Sequence, residues 1–491
     1  MIIGAYPRIV IAATHGAAGK TIIALGIIGA WKKMGLKVVP FKKGPDFIDA
    51  GWLAYVAGRP CYNLDLFMMS KEEILSSFIY RVKGSDGAVI EGNRGLYDGV
   101  DSEGTYSTAR LAKLLQAPII LVVDCTKATS TVAAVVLGCQ RFDPDLAIKG
   151  VILNQVAGDR HESVICKAVE RYCNLPVLGV VPKLRKDLFP ERHMGLIPYI
   201  EHHRIERSIT FTVDVAERHI DLDRLWDVAN SAPQLSIIKG VRRVRANRRE
   251  RRERPLDIGV IRDHAFQFYY PENLEELERL GARLIEINAT SERELPPIDA
   301  LYIGGGFPET QAERLSENIS FRDSLYQRVE NGLPVYAECG GLMYLGKELV
   351  VEDKTYPMVG VFKAVFTIEK RPQGHGYTVL EVERSNPYFT TGTRLKGHEF
   401  HYSRLSALKE DNTYFAFRME RGEGLYKKKD GLCYKNVLAT YTHLHAVGNG
   451  EWADRIIERA TAYTILNKRS DAIFSTEGYY GVKKGGCLSV G

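Results

Sequence analysis

Short uninterrupted runs of Val, Ile and Leu recur through the first ~230 residues, each followed by a stretch of helical periodicity, and this alternation constrains the fold most. The runs are "RIVIAAT", "KVVPFKK", "GAVIEG", "PIILVVDC", "KGVILNQ" and "LPVLGVVP", with amphipathic stretches such as "TIIALGIIGAWKKMG" between them. A strand that lacks polar alternation is covered on both faces, so the pattern predicts a parallel sheet with helices on each side. Further on, "LDIGVIRDHAFQFYYPENLEELERLGARLIEINA" restarts a strand–loop–helix–strand order. The expected class is α/β, in two domains.

A chain of 491 residues exceeds what a single core usually supports, which agrees with two domains. The boundary falls where composition shifts: residues 241–255, "VRRVRANRRERRERP", hold eight arginines and two glutamates. Without interleaved aromatics this stretch reads as a solvated linker and not as a nucleic-acid patch. The expected organisation is 1–235, a linker over 236–255, 256–467, and an aperiodic tail over 468–491. The N-terminus has no basic region before its apolar run, so it reads as a first strand and not as a signal peptide. No segment approaches about 18 uninterrupted apolar residues, and no membrane association is expected. The net charge of +6 suits an acidic substrate without pointing to nucleic acid. Eight cysteines are scattered with no C-x-x-C pair, which argues against zinc or disulfides and suits a reducing cytoplasm.

"RIVIAATHGAAGKTIIALG" places a small-residue loop between a strand and a helix, ending in Gly19-Lys20-Thr21. Small residues let backbone N–H groups close around phosphate oxygens, and the helix adds its positive end. Lys20 would reach the β- and γ-phosphates of ATP, and the Thr21 hydroxyl would ligate Mg2+. Thr14 stands where the usual pattern has glycine, and Gly16 lies within the loop. Asp46 and Asp49 follow the second strand, and Glu91 ends the third. Ligands of open α/β sheets bind at the carboxyl ends of strands, so these acids should face one crevice and supply hard oxygens for magnesium.

In the second domain, "LPVYAECGGLMYLG" reads as a strand, a turn carrying Cys339, and a helix. Such an elbow exposes the side chain, and the helix N-terminus favours thiolate. "ATYTHLHAVGN" supplies His443 and His445 on one face of an extended segment, with no third ligand at a spacing that suits zinc. In "LYIGGGFPE", Gly305 and Gly306 could present N–H donors to an oxyanion. Cysteine, histidine and backbone donors together describe acyl transfer through a thioester.

"AECGGLMYL", "YIGGGFPE" and "THLH" resemble class I glutamine amidotransferases, and "FKKGPDFIDAG", "GRPCYNLD", "EGNRGLYDG", "ERHMGL", "RDHAFQFYYPENLEELE" and "GHEFHYSRL" extend the likeness to nearly the whole chain. Together they resemble the cobyrinate a,c-diamide synthase family. The resemblance implies an N-terminal P-loop parallel-sheet domain similar to dethiobiotin synthetase, plus a C-terminal class I glutaminase α/β domain. It implies phosphorylation of tetrapyrrole acetate carboxylates by ATP, release of ammonia from L-glutamine, and amidation at the a and c positions in cobalamin biosynthesis. Carried over by motif, Cys339 is the nucleophile and His443 its base. Asp46, Ile48, Asp49 and Asp98 match substrate positions, Thr21, Asp46 and Glu91 match metal positions, and Asn154 matches a contact to adenine. The family usually has glycine at Ala13 and serine at Gly16, and His15 stands where partitioning-type ATPases carry a signature lysine. His445 stands where many class I glutaminases have a glutamate, which leaves the third member of the triad open.

A partitioning-type ATPase would use the phosphate loop but give Cys339 and His443 no task. Nickel-sirohydrochlorin or hydrogenobyrinate would be amidated by nearly the same motifs, so the sequence leaves the macrocycle open. Oligomeric state is likewise open, a homodimer included.

Overall fold

The computed structural model describes residues 2–184, 191–192, 195–202, 204–237, 254–409 and 412–477. Residues 238–253 of the arginine-rich linker and 478–491 of the tail lie outside the described residues, as do residues 193–194 of the "ERHMGL" motif. The chain divides into two compact units. One is Met1–Ala246 with the short segments Phe268–Asn273 and Val447–Asn449, and the other is the remainder.

The first unit holds a seven-stranded parallel sheet in the order Tyr62–Leu64, Val38–Lys43, Gly87–Glu91, Arg8–Ala13, Ile119–Asp124, Ile148–Val156, Val177–Pro182. All six apolar runs are strands of it, and the short seventh, Tyr62–Leu64, has no apolar run to announce it. Arg8–Ala13 lies fourth from either edge, at the centre of the sheet, and is buried at every residue, as a strand covered on both faces must be. The helix Lys20–Lys33 is apolar nearly all round because it is buried nearly all round. On its outer side a Cβ at Gly26 would lie 2.5 Å from the Thr212 carbonyl, and one at Gly29 would lie 2.4 Å from Val213 Cγ2. These two glycines let the helix Ile205–His219 close over it.

The second unit is built on a ten-stranded mixed sheet. Its parallel half runs Ala282–Ile287, Leu256–Ile261, Ala300–Ile303, Val335–Glu338, Val437–Thr440. The antiparallel half continues through Lys429–Tyr434, Tyr414–Arg421, Gly374–Val382, Arg394–His401 and His443–Leu444. His443–Leu444 almost directly follows Thr440 in sequence yet ends the strand order, so this half curls back on itself. That closure returns His443 to the carboxyl end of Val335–Glu338. The last helix spans Trp452–Glu477, across the boundary expected at residue 467.

Candidate active site

In the first unit the loop after Arg8–Ala13 is held from the sheet side. Thr14 N donates to the Val122 carbonyl at 3.3 Å, and Asn154 Nδ2 donates to the Ala18 carbonyl at 2.9 Å. Asn154, matched by resemblance to an adenine contact, thus ties the loop to the strand Ile148–Val156. Gly19 has φ 93°, and a Cβ there would lie 2.3 Å from Asn154 Nδ2, so glycine is required on both counts. At Gly16 a Cβ would meet nothing within 4 Å, so space does not explain its departure from serine. Lys20 is buried, its Nζ donating to the His15 carbonyl at 3.4 Å. Burial lowers the pKa of Lys20, while Glu91, Asp49 and Asp98 oppose the shift.

The acids expected in one crevice do meet, around a lysine that the motif reading left without a role. Lys42 is 1% exposed, and its Nζ donates to Asp49 Oδ2 at 2.6 Å and Glu91 Oε1 at 3.0 Å, with Asp46 Oδ2 at 3.9 Å. Thr21 Oγ1 donates to the same Glu91 oxygen at 2.7 Å. Asp49 N donates to Asp46 Oδ1 at 2.9 Å, which closes the turn into the helix Ile48–Ala57, where Ile48 is buried. Asp98 accepts from Gly95 N at 2.7 Å. Glu91 has its pKa raised by burial and held down by Lys42.

Glu91 Oε2 is buried with no hydrogen-bond partner among the described residues, a state that costs about 1–3 kcal/mol unless something binds. The hard oxygens of Thr21, Asp46 and Glu91 are of the type magnesium takes. Among the described residues, no group of three or more His, Cys, Asp or Glu is arranged to hold a metal ion; Lys42 is bound to the carboxylates instead. Removing one partner of a buried ion pair strands the other charge. Lys42→Met, without magnesium, is therefore expected to lower unfolding stability by about 3–5 kcal/mol, as read from urea midpoints.

In the second unit Cys339 sits between Val335–Glu338 and the short helix Gly340–Leu345, with φ 46° and ψ −97°. A non-glycine residue at such a φ is strained, and the neighbours over-determine it. Cys339 N donates to the Thr440 carbonyl at 2.8 Å and its carbonyl accepts from Met343 N at 3.1 Å, while Gly341 N donates to Gly304 at 3.1 Å. A Cβ on Gly305 would lie 3.2 Å from His443 Nε2 and 3.5 Å from Cys339 Cβ, so the three share one hollow. A Cβ on Gly340 would come within 3.0 Å of Gly306 N, which places both glycines of the "YIGGGFPE" turn beside the cysteine.

Two expectations about the thiol are corrected. Cys339 is 4% exposed, so the elbow does not hold it out to solvent. Nor does the helix end prevail: burial pushes the thiol pKa well up, Glu309, Glu338 and Glu399 push the same way, and the Gly340 N–H opposes them. The resting cysteine is a thiol, and a base has to take its proton. His443 is buried and stacks on His398, ring centroids 4.9 Å apart, and its Nδ1 lies 3.3 Å from Glu338 Oε2. Burial and the neighbouring histidines hold the pKa of His398 well down, so that neighbour is neutral. Sequence reasoning passed over Glu338 and Lys42. The signal available for both was a charged residue at the carboxyl end of a buried strand.

Residues 9–196 match the CobQ/CobB/MinD/ParA nucleotide binding domain, and residues 257–451 match the CobB/CobQ-like glutamine amidotransferase domain. A cobyrinate a,c-diamide synthase of Magnetococcus marinus is 41% identical over 91% of this chain and 96% of its own. One from Archaeoglobus fulgidus is 40% identical over 92% and 97%, and one from Caldanaerobacter subterraneus subsp. tengcongensis is 38% identical over 92% and 98%. The chain belongs to the cobyrinate a,c-diamide synthase family. As a member, it is a glutamine-hydrolysing amide ligase with an ATP-binding domain, α/β in both halves. No helix among the described residues is long and apolar enough to cross a membrane.

Proposed function

We propose that the chain amidates the a and c acetate carboxylates of cobyrinate, using ATP and glutamine, through an acyl phosphate. The observation that carries this reading is the joint presence, in a chain that a family member matches over 91% of its length, of the Lys20–Thr21–Glu91 cluster and the Cys339–Gly305–His443 hollow.

A carboxylate is a poor electrophile. Transfer of the γ-phosphoryl group of ATP to one of its oxygens supplies a leaving group. Lys20 and the loop N–H groups would hold the phosphates, and charge neutralisation is the main help such a transfer needs. Thr21, Asp46 and Glu91 would hold Mg2+, which when bound screens the phosphate charge. Asp46, Ile48, Asp49 and Asp98 line the proposed substrate side. In the second domain His443 takes the Cys339 proton, and the sulfur attacks the side-chain carbonyl of glutamine. Gly305 and Gly306 N–H groups would stabilise the oxyanion. His443 then gives the proton to the leaving nitrogen, which departs as ammonia, and water hydrolyses the thioester to glutamate. The ammonia attacks the acyl phosphate, and phosphate leaves as the amide forms.

The test is an assay of the purified chain with ATP, magnesium and glutamine on cobyrinate, nickel-sirohydrochlorin and hydrogenobyrinate. Preferential conversion of cobyrinate to its a,c-diamide is the expected result. Preference for another macrocycle would move the substrate within the class, and ATP hydrolysis with no macrocycle amidated would defeat the class. A cytoplasmic location agrees with the seven cysteines among the described residues, all free. Neither a nucleic acid nor a membrane has a part in this chemistry.

A further inference from the structure

Near Cys339, one buried carboxylate is placed to do more than hold strands together. Glu338 ends Val335–Glu338 and is 1% exposed. A carboxylate taken out of water stays charged only where donors surround it. Both oxygens of Glu338 have such donors. Oε1 accepts from Tyr336 Oη at 3.2 Å and Leu444 N at 3.1 Å. Oε2 accepts from Tyr302 Oη at 3.2 Å and faces His443 Nδ1 at 3.3 Å.

The strand pairing explains why a residue adjacent to the nucleophile reaches the histidine. Glu338 lies opposite Thr440 in the parallel register, and the chain beyond Thr440 turns back through His443 and Leu444. Cys339, at φ 46°, leaves the strand direction, so sulfur and carboxylate approach the imidazole from different sides. Nδ1 faces Glu338, while Nε2 faces the hollow that Gly305 shares with Cys339. His445, fully buried, stands where many class I glutaminases carry their acid.

We propose that Glu338 is the positioning residue of the glutamine-hydrolysing site, the third member of a cysteine–histidine–glutamate relay whose acid immediately precedes the nucleophile. By accepting from Nδ1–H it fixes the tautomer in which Nε2 is the acceptor, and it stabilises the imidazolium formed when the thiol gives up its proton. No proton passes to Glu338. The bonds made and broken remain those of Cys339, His443 and glutamine. This inference rests on the reading of His443 as the base.

The test compares Glu338→Gln, His443→Ala and the double variant in the full-length enzyme, each assayed with glutamine and with ammonium salts. For Glu338→Gln, glutamine-dependent kcat should fall by about 10²–10⁴-fold, the range for loss of a triad acid, with KM for glutamine and ammonium-dependent amidation little changed. In the His443→Ala background the same change should cost nothing further, because Glu338 acts only through the imidazole. An unchanged kcat in Glu338→Gln, or a further loss added to His443→Ala, overturns the proposal. If His443→Ala itself keeps glutamine turnover, the base reading fails instead, and the two failures are thereby told apart. Should Glu338→Gln not fold, Glu338→Asp takes its place. It keeps the charge but withdraws it by one methylene from Nδ1, so the same kcat loss supports the proposal and full kcat refutes it.

Discussion

With Cys339 replaced by alanine, glutamine-dependent amidation is expected to drop by about 10³-fold or more, the scale set by removing a nucleophile, while amidation with added ammonium persists. The substitution removes one sulfur from a hollow already lined by Gly305 and His443 and leaves the hydrogen bonds of the Cys339 backbone to Thr440 and Met343 in place. Alanine accepts a positive φ no more easily than cysteine, so the strain at that position is unchanged. The fold should therefore survive, and the loss should be chemical. Free ammonia bypasses the thioester because the acyl phosphate is made by the other domain. The measurement is product formed with each nitrogen source under saturating ATP. Failure of ammonium to rescue would mean that the two chemistries are not divided between domains.

Lys20→Met should stop both nitrogen sources alike, by on the order of 10²–10³-fold, as when one charged stabiliser is removed from a transfer site. Methionine nearly matches the buried volume of the lysine stem, so the helix Lys20–Lys33 should keep its packing. The charge is what disappears. Lys20 is held buried beside Glu91, Asp49 and Asp98, whose charges oppose the downward pull of burial on its pKa. Ammonium salts cannot substitute for it, because the carboxylate is never activated. Parallel assays of phosphate release and amide formation check the point: both should fall together, and glutaminase activity measured alone should remain. Amide formation that outlasts the loss of phosphate release would refute the acyl-phosphate route.

The contrast between these two variants reflects what sequence could and could not supply. The six strands of the parallel sheet were legible because each is a local run of apolar residues closed by a turn, and burial on both faces writes itself into most residues of such a run. The glycines at 19, 305 and 340 were legible because a close backbone approach tolerates no side chain. Tyr62–Leu64 was not, since its "YNL" has no local period and becomes a strand only by pairing with Val38–Lys43.

By itself the sequence determined the two α/β halves, the phosphate loop ending in Lys20 and Thr21, and the turn that carries Cys339, all of them settled between near neighbours along the chain. Tertiary structure alone decided that Lys42 binds the crevice acids, that the Cys339 thiol is buried and protonated at rest, and that Glu338 meets His443. A charge has no fixed partner until distant strand ends are brought together. Its environment there depends on a register, Glu338 opposite Thr440 with His443 folded back, that no stretch of neighbouring residues contains.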